Sequence, residues 1–165
     1  MINLIQKLRN QTGAGMMDIK KALDEAGGDE KKALDILRKK GQKIAAKKQD
    51  ERSAKDGLVE SYIHANGKVG AMIVLACETD FVAKNEEFKK LAHEIAMQVA
   101  AMKPEYISAD DVPADVEPEE YEQICLLNQT YIKDDKKTIN DLITDATAKL
   151  GEKIEVKRME VFSLM

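Results

Sequence analysis

The sequence predicts an α+β protein: a small three-helix bundle at the N-terminus, a linker, and a three-stranded antiparallel sheet backed by helices. Three observations carry this. Glycines punctuate three helical-period stretches within the first 41 residues. A weakly alternating segment, Leu58 to His64, and a continuous apolar run, Val69 to Cys77, flank Asn66-Gly67. Two more helical stripes follow before a last apolar stretch, Lys153 to Ser163. With 165 residues, 44% of them apolar and 4% aromatic with no Trp, the chain can bury an aliphatic, Met-rich core. The expected division is 1–53 for the bundle and linker and 54–165 for the α+β core, with an acidic loop near 105–117.

In chain order, Asn3 with Gln6 forms a capping-box pattern and Gly13 ends the first helix. The second helix carries Ile19, Ala22, Leu23 and Ala26 on one face. "GGD" breaks it, Asp29 caps a third helix with Leu34 and Leu37 inward, and Gly41 is expected to close that helix. Residues 42–55 read as a charged, partly helical linker. Asn66-Gly67 predicts a type I′ hairpin turn, and Val69 to Cys77 a central strand buried on both faces. Asn85 caps a helix with Glu86 and Glu87 in its first turn and Phe88, Leu91, Ala92, Ile95 and Val99 as its inner stripe. Residues 105–122 hold eight acidic and no basic side chains, with Pro118 opening a helix to about Gln129. A further helix carries Ile139, Leu142, Ile143, Ala146 and Leu150 and ends at Gly151. In the last strand the apolar phase switches between Val156 and Met159, which predicts a bulge or burial on both faces.

The composition excludes several functions. Neither His64 nor His93 pairs with a cysteine at metal-ligand spacing, so no metal site is expected. Cys77 and Cys125 sit in apolar surroundings and read as free buried thiols. No phosphate loop and no paired acid and base in an apolar cleft are visible, so neither a cofactor nor an enzymatic activity is expected. The opening MINLIQKLRN lacks a long apolar run, and no segment approaches the ~20 apolar residues of a membrane span. A cytoplasmic protein is therefore expected. The net charge of −4 argues against a nucleic-acid binder as a whole. One stretch runs the other way: Lys31 to Arg52 holds nine basic against three acidic residues, a local +6. An RNA-binding or general protein-interaction module using 31–52 is thus the alternative reading.

One segment fits none of these structural roles. "ETDFVAKN", residues 78–85, places Phe81 on the short connection between a buried strand and an amphipathic helix, where a small or polar residue is usual. Together with "LRNQTGAGMMDIKKALDEAGGD" (8–29), "ETDFVAKNEEF" (78–88) strongly resembles the elongation factor Ts family, with Ile19 in place of the family's cysteine. "LLNQTYIKDDKKTINDL" and "AKLGEKIEVKRMEVF" resemble the family's C-terminal segments. The resemblance implies a UBA-like bundle, elongation factor Tu as partner, and guanine-nucleotide exchange as activity. It implies that Thr79, Asp80, Phe81 and Val82 insert near the partner's magnesium and phosphate site, and that Arg9, Met16 and Met17 touch the partner from the bundle. Two residues from Ile19 at ~100° per residue, Met17 points away from the inner stripe, and Met16 lies nearer to it. Long members of the family carry two core halves and a protruding helical hairpin. Here one core half stands alone, and the segment usual between the acidic stretch and "LLNQ" looks deleted. Short single-core members pair as dimers, so a homodimer is expected.

Overall fold

The computed structural model describes residues 2–164. The elements run α1 (Ile2–Thr12), α2 (Met16–Glu25), α3 (Glu30–Glu51), β1 (Asp56–Ile63), β2 (Val69–Cys77), α4 (Asp80–Ala83), α5 (Glu86–Met102), α6 (Tyr121–Ile124), β3 (Thr130–Tyr131), β4 (Asp134–Thr138), α7 (Ile139–Leu150) and β5 (Glu155–Ser163). They form two compact units. One joins Met1–Ser53 to Thr144–Lys153, and the other joins Ala54–Ile143 to Ile154–Met165, so α7 contributes to both.

In the first unit, Leu8, Ile19, Ala22, Leu23, Ala33 and Leu37 make the core, with Ala26 and Leu34 packed against it. Gly13 turns the chain at φ +67 and donates its N–H to the Arg9 carbonyl at 2.8 Å. Asp29 caps α3 by accepting the Lys32 amide at 3.0 Å. Helix α1 begins at Ile2, so Asn3 lies inside its first turn and is not the cap.

Gly41 does not close α3, which continues through the expected linker to Glu51. A helix-interior glycine costs only about 1 kcal/mol relative to alanine. The residues after it, Gln42, Lys43, Ala45, Ala46, Lys47 and Lys48, are strong helix formers. The glycine serves packing: a Cβ there would come 3.0 Å from the Ala148 side chain. Lys48 Nζ also donates to the Gly151 carbonyl, where α7 ends at φ +81.

In the second unit the sheet order is β1-β2-β5, antiparallel throughout. The hairpin turn differs from the type I′ expectation. Gly67 donates to the His64 carbonyl at 2.8 Å, so the central residues are Ala65 and Asn66. Gly67, at φ +66, follows the turn, and Asn66 has no positive φ. Its side chain instead accepts the Lys68 amide at 3.0 Å, the local bond that Asn favours in turns. The bulge expected in β5 is present: Val74 faces Arg158 and Leu75 faces Val156, leaving Lys157 unopposed.

Helix α5 packs across all three strands. Its stripe of Phe88, Leu91, Ala92, Ile95 and Val99 is buried, as are Ala71, Ile73, Leu75 and Cys77 of β2. The other face of the sheet is bare. Val59, Met72 and Phe162 are 60%, 45% and 58% exposed and line one shallow apolar depression. Strand β2 is therefore central but not covered on both faces. Its apolar content hid the alternation because small residues, Gly70 and Ala76, occupy the outer positions that are buried.

The acidic stretch is pinned by its backbone. Glu105 and Tyr106 donate to the Ile124 carbonyl, and Leu126 and Leu127 donate to the carbonyls of Tyr106 and Ile107. Pro118 does open a helical turn, Pro118–Glu120, which leads into α6. The helix stops at Ile124, short of Gln129, because Cys125 turns extended and bridges to Tyr106. The β3–β4 hairpin has no signal in the sequence, since TYIKDDKKT carries no apolar alternation. Gln98, fully buried on α5, anchors it: its side chain donates to the Thr130 carbonyl at 3.0 Å and accepts the Ile132 amide at 3.0 Å.

Beside this anchor, Glu94 accepts from the Tyr131 hydroxyl and pairs with Lys133 at 2.8 Å. Burial pulls the Glu94 carboxyl upward, but the bonds from Lys133 and Tyr131 outweigh it and leave its pKa below the ordinary 4.5. Burial, then the Glu94 bond, push the Tyr131 phenol up. A carboxyl lowered on folding stabilises fully above its unfolded value, and the contribution is lost as pH falls through the folded one. Glu94→Gln should therefore be less stable than the parent at about pH 7, with the gap closing below about pH 4. Denaturant titrations across that range check it; a gap that does not depend on pH contradicts it.

Candidate partner-binding site

Strand β2 becomes helix α5 through nine residues, Cys77 to Asn85. Thr79 is extended (φ −133, ψ 158) and its carbonyl accepts the Ala83 amide at 3.2 Å, which starts the short helix α4. The buried Cys77 thiol donates to the same carbonyl at 3.2 Å. Lys84 donates to the Asp80 carbonyl at 3.0 Å and Asn85 to that of Val82 at 3.0 Å. Asn85 then caps α5, accepting the Glu87 amide at 2.8 Å. The second half of the connection, Ala83 to Glu87, is thus tied by local hydrogen bonds, and the Cys77 thiol ties it back to the strand.

On this turn adjacent side chains face opposite ways. Val82 and Ala83 are each 8% exposed and anchor it to the unit's core, whereas Phe81 is 84% exposed. Of the three phenylalanines, Phe88 is fully buried and Phe162 lies on the bare sheet face. Phe81 alone combines near-complete exposure with a hydrogen-bonded seat. Asp80 and Lys84 bracket it, paired at 2.6 Å across one helical turn. The hydrogen bond from Lys84 and its charge hold the Asp80 carboxyl below its ordinary value. Both are solvent-exposed, so the pair orients charge beside the ring more than it stabilises the fold. Thr79 and Asp80 are exposed with Phe81; Val82 is not, and its place is that of an anchor.

In the first unit, Arg9 is exposed in the last turn of α1, and Met16 and Met17 open α2 across the three-residue link 13–15. Met17 is 66% exposed, as its direction predicts. Met16, although nearer the stripe, is also 55% exposed, because it is the first residue of α2 and precedes the stripe that starts at Ile19. The sequence did not single out Lys84 or Cys77 as parts of the turn. An Asp-to-Lys spacing of four was the available signal for Lys84, and nothing local marked the Cys77 thiol. Cys77 and Cys125 are both buried and outside any disulfide, and burial pushes the Cys125 thiol up. Among the described residues no cluster of three His, Cys, Asp or Glu is arranged to hold a metal, and no helix is long and apolar enough to cross a membrane.

Residues 2–124 match the family model described as elongation factor TS. The chain is 46% identical to elongation factor Ts of Thermotoga petrophila over 190 aligned positions, which cover 99% of this chain and 95% of that protein. It is 46% identical to the factor of an Anaeromyxobacter species (98% and 87% covered) and 45% identical to that of Desulforamulus reducens (94% and 85%). An alignment of 190 positions exceeds the 165 residues of the chain, so the Thermotoga relative carries residues that are missing here. With the match spanning nearly its whole length, the chain belongs to the elongation factor Ts family.

Proposed function

We propose that Phe81, held outward by the Thr79–Asn85 turn, is the element through which this chain drives GDP from elongation factor Tu. Membership in the family supports nucleotide exchange on elongation factor Tu as the activity, a binding function and not bond-making catalysis. The observation that carries the finer reading is an 84% exposed aromatic ring on a turn whose Ala83, Lys84 and Asn85 amides are bonded within it. An apolar ring in that position costs solvation until a partner covers it, and burial then gains roughly 1.5–3 kcal/mol. Little ordering entropy opposes this, because the backbone is already fixed. Thr79, Asp80 and Phe81 would enter the partner near its magnesium and phosphate site, with Val82 holding the turn. If the chain binds nucleotide-free partner better than the GDP form, linkage requires it to weaken GDP binding by the same factor. Arg9, Met16 and Met17 would form a second contact, with exposed thioethers as an adaptable apolar surface.

Phe81→Ala should slow catalysed GDP release strongly, with affinity for nucleotide-free partner down about thirtyfold for a loss of about 2 kcal/mol. Its melting temperature should stay at the parent value, since removing an exposed ring leaves no cavity. Stopped-flow release of a fluorescent GDP, run beside thermal melts, reads both. Parent-like exchange by a folded Phe81→Ala variant would sink the wedge reading. In the same assay Met17→Ala should weaken binding without a shift in melting; early melting would place Met17 in the bundle core.

The bare sheet face favours a homodimer. Val59, Met72 and Phe162 form an apolar surface that a single core half leaves uncovered, and pairing two such faces would bury it. Sedimentation equilibrium at tens of micromolar should give twice the chain mass. A monomer with full exchange activity contradicts the dimer and leaves the Phe81 reading standing.

A further inference from the structure

The net charge of −4 conceals a segregation. Residues 1–53 and 144–153 carry fifteen Lys/Arg against ten Asp/Glu, a net of +5; residues 54–143 and 154–165 carry eleven against twenty, a net of −9. Because α3 runs unbroken to Glu51, its lysines are ordered along a helix and do not disperse in a linker. At 100° per residue, Lys32, Lys39, Lys43 and Lys47 fall within a sector of about 80°, spread over about 22 Å of axis. All four are exposed. Lys47 approaches Glu51 only to 3.9 Å, and Asp35 lies on the flank of the row. Leu37 and Ala45 lie on the far side, whereas buried Ala33 borders the row and half-buried Ile36, packed on the bundle core, falls between Lys32 and Lys39 within it.

We propose that this lysine row binds the phosphate backbone of double-helical RNA. The row lacks what a protein interface needs. Lysine is depleted at protein–protein contacts, whose anchors are Trp, Tyr and Arg, and residues 1–53 contain no aromatic side chain at all. Single-stranded nucleic acid is disfavoured for the same reason, since its binding relies on bases stacked on aromatic rings. A straight row of point charges at intervals of one to two helical turns suits a duplex backbone, read without regard to sequence. The choice of RNA over DNA rests on the proposed function, because translation elongation takes place on RNA.

The test is fluorescence anisotropy of a labelled RNA duplex of arbitrary sequence with the full chain, titrated in KCl. The parent should bind at about 50 mM KCl, with an affinity that falls linearly in log–log salt. Lys39→Gln/Lys43→Gln/Lys47→Gln should bind at least about tenfold more weakly and lower the salt slope by roughly 2–3, near one unit per lost phosphate contact. Glutamine keeps the helix propensity, and circular dichroism verifies it. Lys68→Gln/Lys89→Gln/Lys90→Gln removes equal charge from the other unit and should bind like the parent. No binding by the parent, equal losses in both triple variants, or equal competition by polyglutamate would overturn the proposal. Equal binding of a DNA duplex would overturn the assignment to RNA while leaving GDP exchange unaffected.

Discussion

The Thr79 carbonyl accepts two hydrogen bonds, from the Ala83 amide and from the Cys77 thiol, at the point where strand β2 turns into helix. Much follows from that arrangement. Cys77 is fixed by its place at the end of a central strand, paired to Asp56 on β1. Through Thr79 it fixes the first turn of α4, and Val82 and Ala83 tie that turn to the core. From Thr79 to Lys84 the positions left pointing outward are Thr79, Asp80, Phe81 and Lys84, and of these only Phe81 is apolar. A small residue there would have been cheaper for the fold alone. The fold gives the large ring no packing role, which is the ground for proposing a binding one.

The same sheet is asymmetric. Helix α5 seals one face with five fully or nearly buried residues, while the other exposes Val59, Met72 and Phe162. Buried polar groups on the sealed side are matched: Gln98 satisfies both a carbonyl and an amide of the β3–β4 hairpin, as a low-dielectric site demands. The polar hairpin is held by this one glutamine and by the Glu94 cluster beside it. Charge is distributed as unevenly as apolar surface, with the basic excess on the bundle unit and the acidic excess on the core unit. Such segregation allows one small chain to present different chemistry to different partners.

Much of this was legible in the sequence wherever a local pattern had a single physical solution. Asp29 and Asn85 as caps, the inner stripe of α5, the exposure of Phe81 and Met17, and the bulge at Lys157 all follow from periodicity and capping chemistry. The failures have equally specific causes. Gly41 carries the local signal of a helix end, whereas its role is set by the side chain of Ala148, more than a hundred residues away. Asn66-Gly67 signals a type I′ turn, but a turn on Ala65-Asn66 lets the Asn66 side chain bond Lys68. The β3–β4 hairpin has no apolar pattern because it is pinned by polar bonds from α5. In the candidate site, Thr79, Asp80, Phe81 and Val82 stand together in one motif, but the burial of Val82 and the bond from the Cys77 thiol to Thr79 required the fold.

The central claim is that the Phe81 seat is built before any partner arrives. Amide hydrogen exchange of the free chain tests it most directly. The amides of Ala83, Lys84 and Asn85, each bonded within the turn, should be protected to a degree approaching that of β2. Exchange at the rate of an unstructured loop, with protection gained only on adding elongation factor Tu, would show that the turn is ordered by binding and would contradict the account.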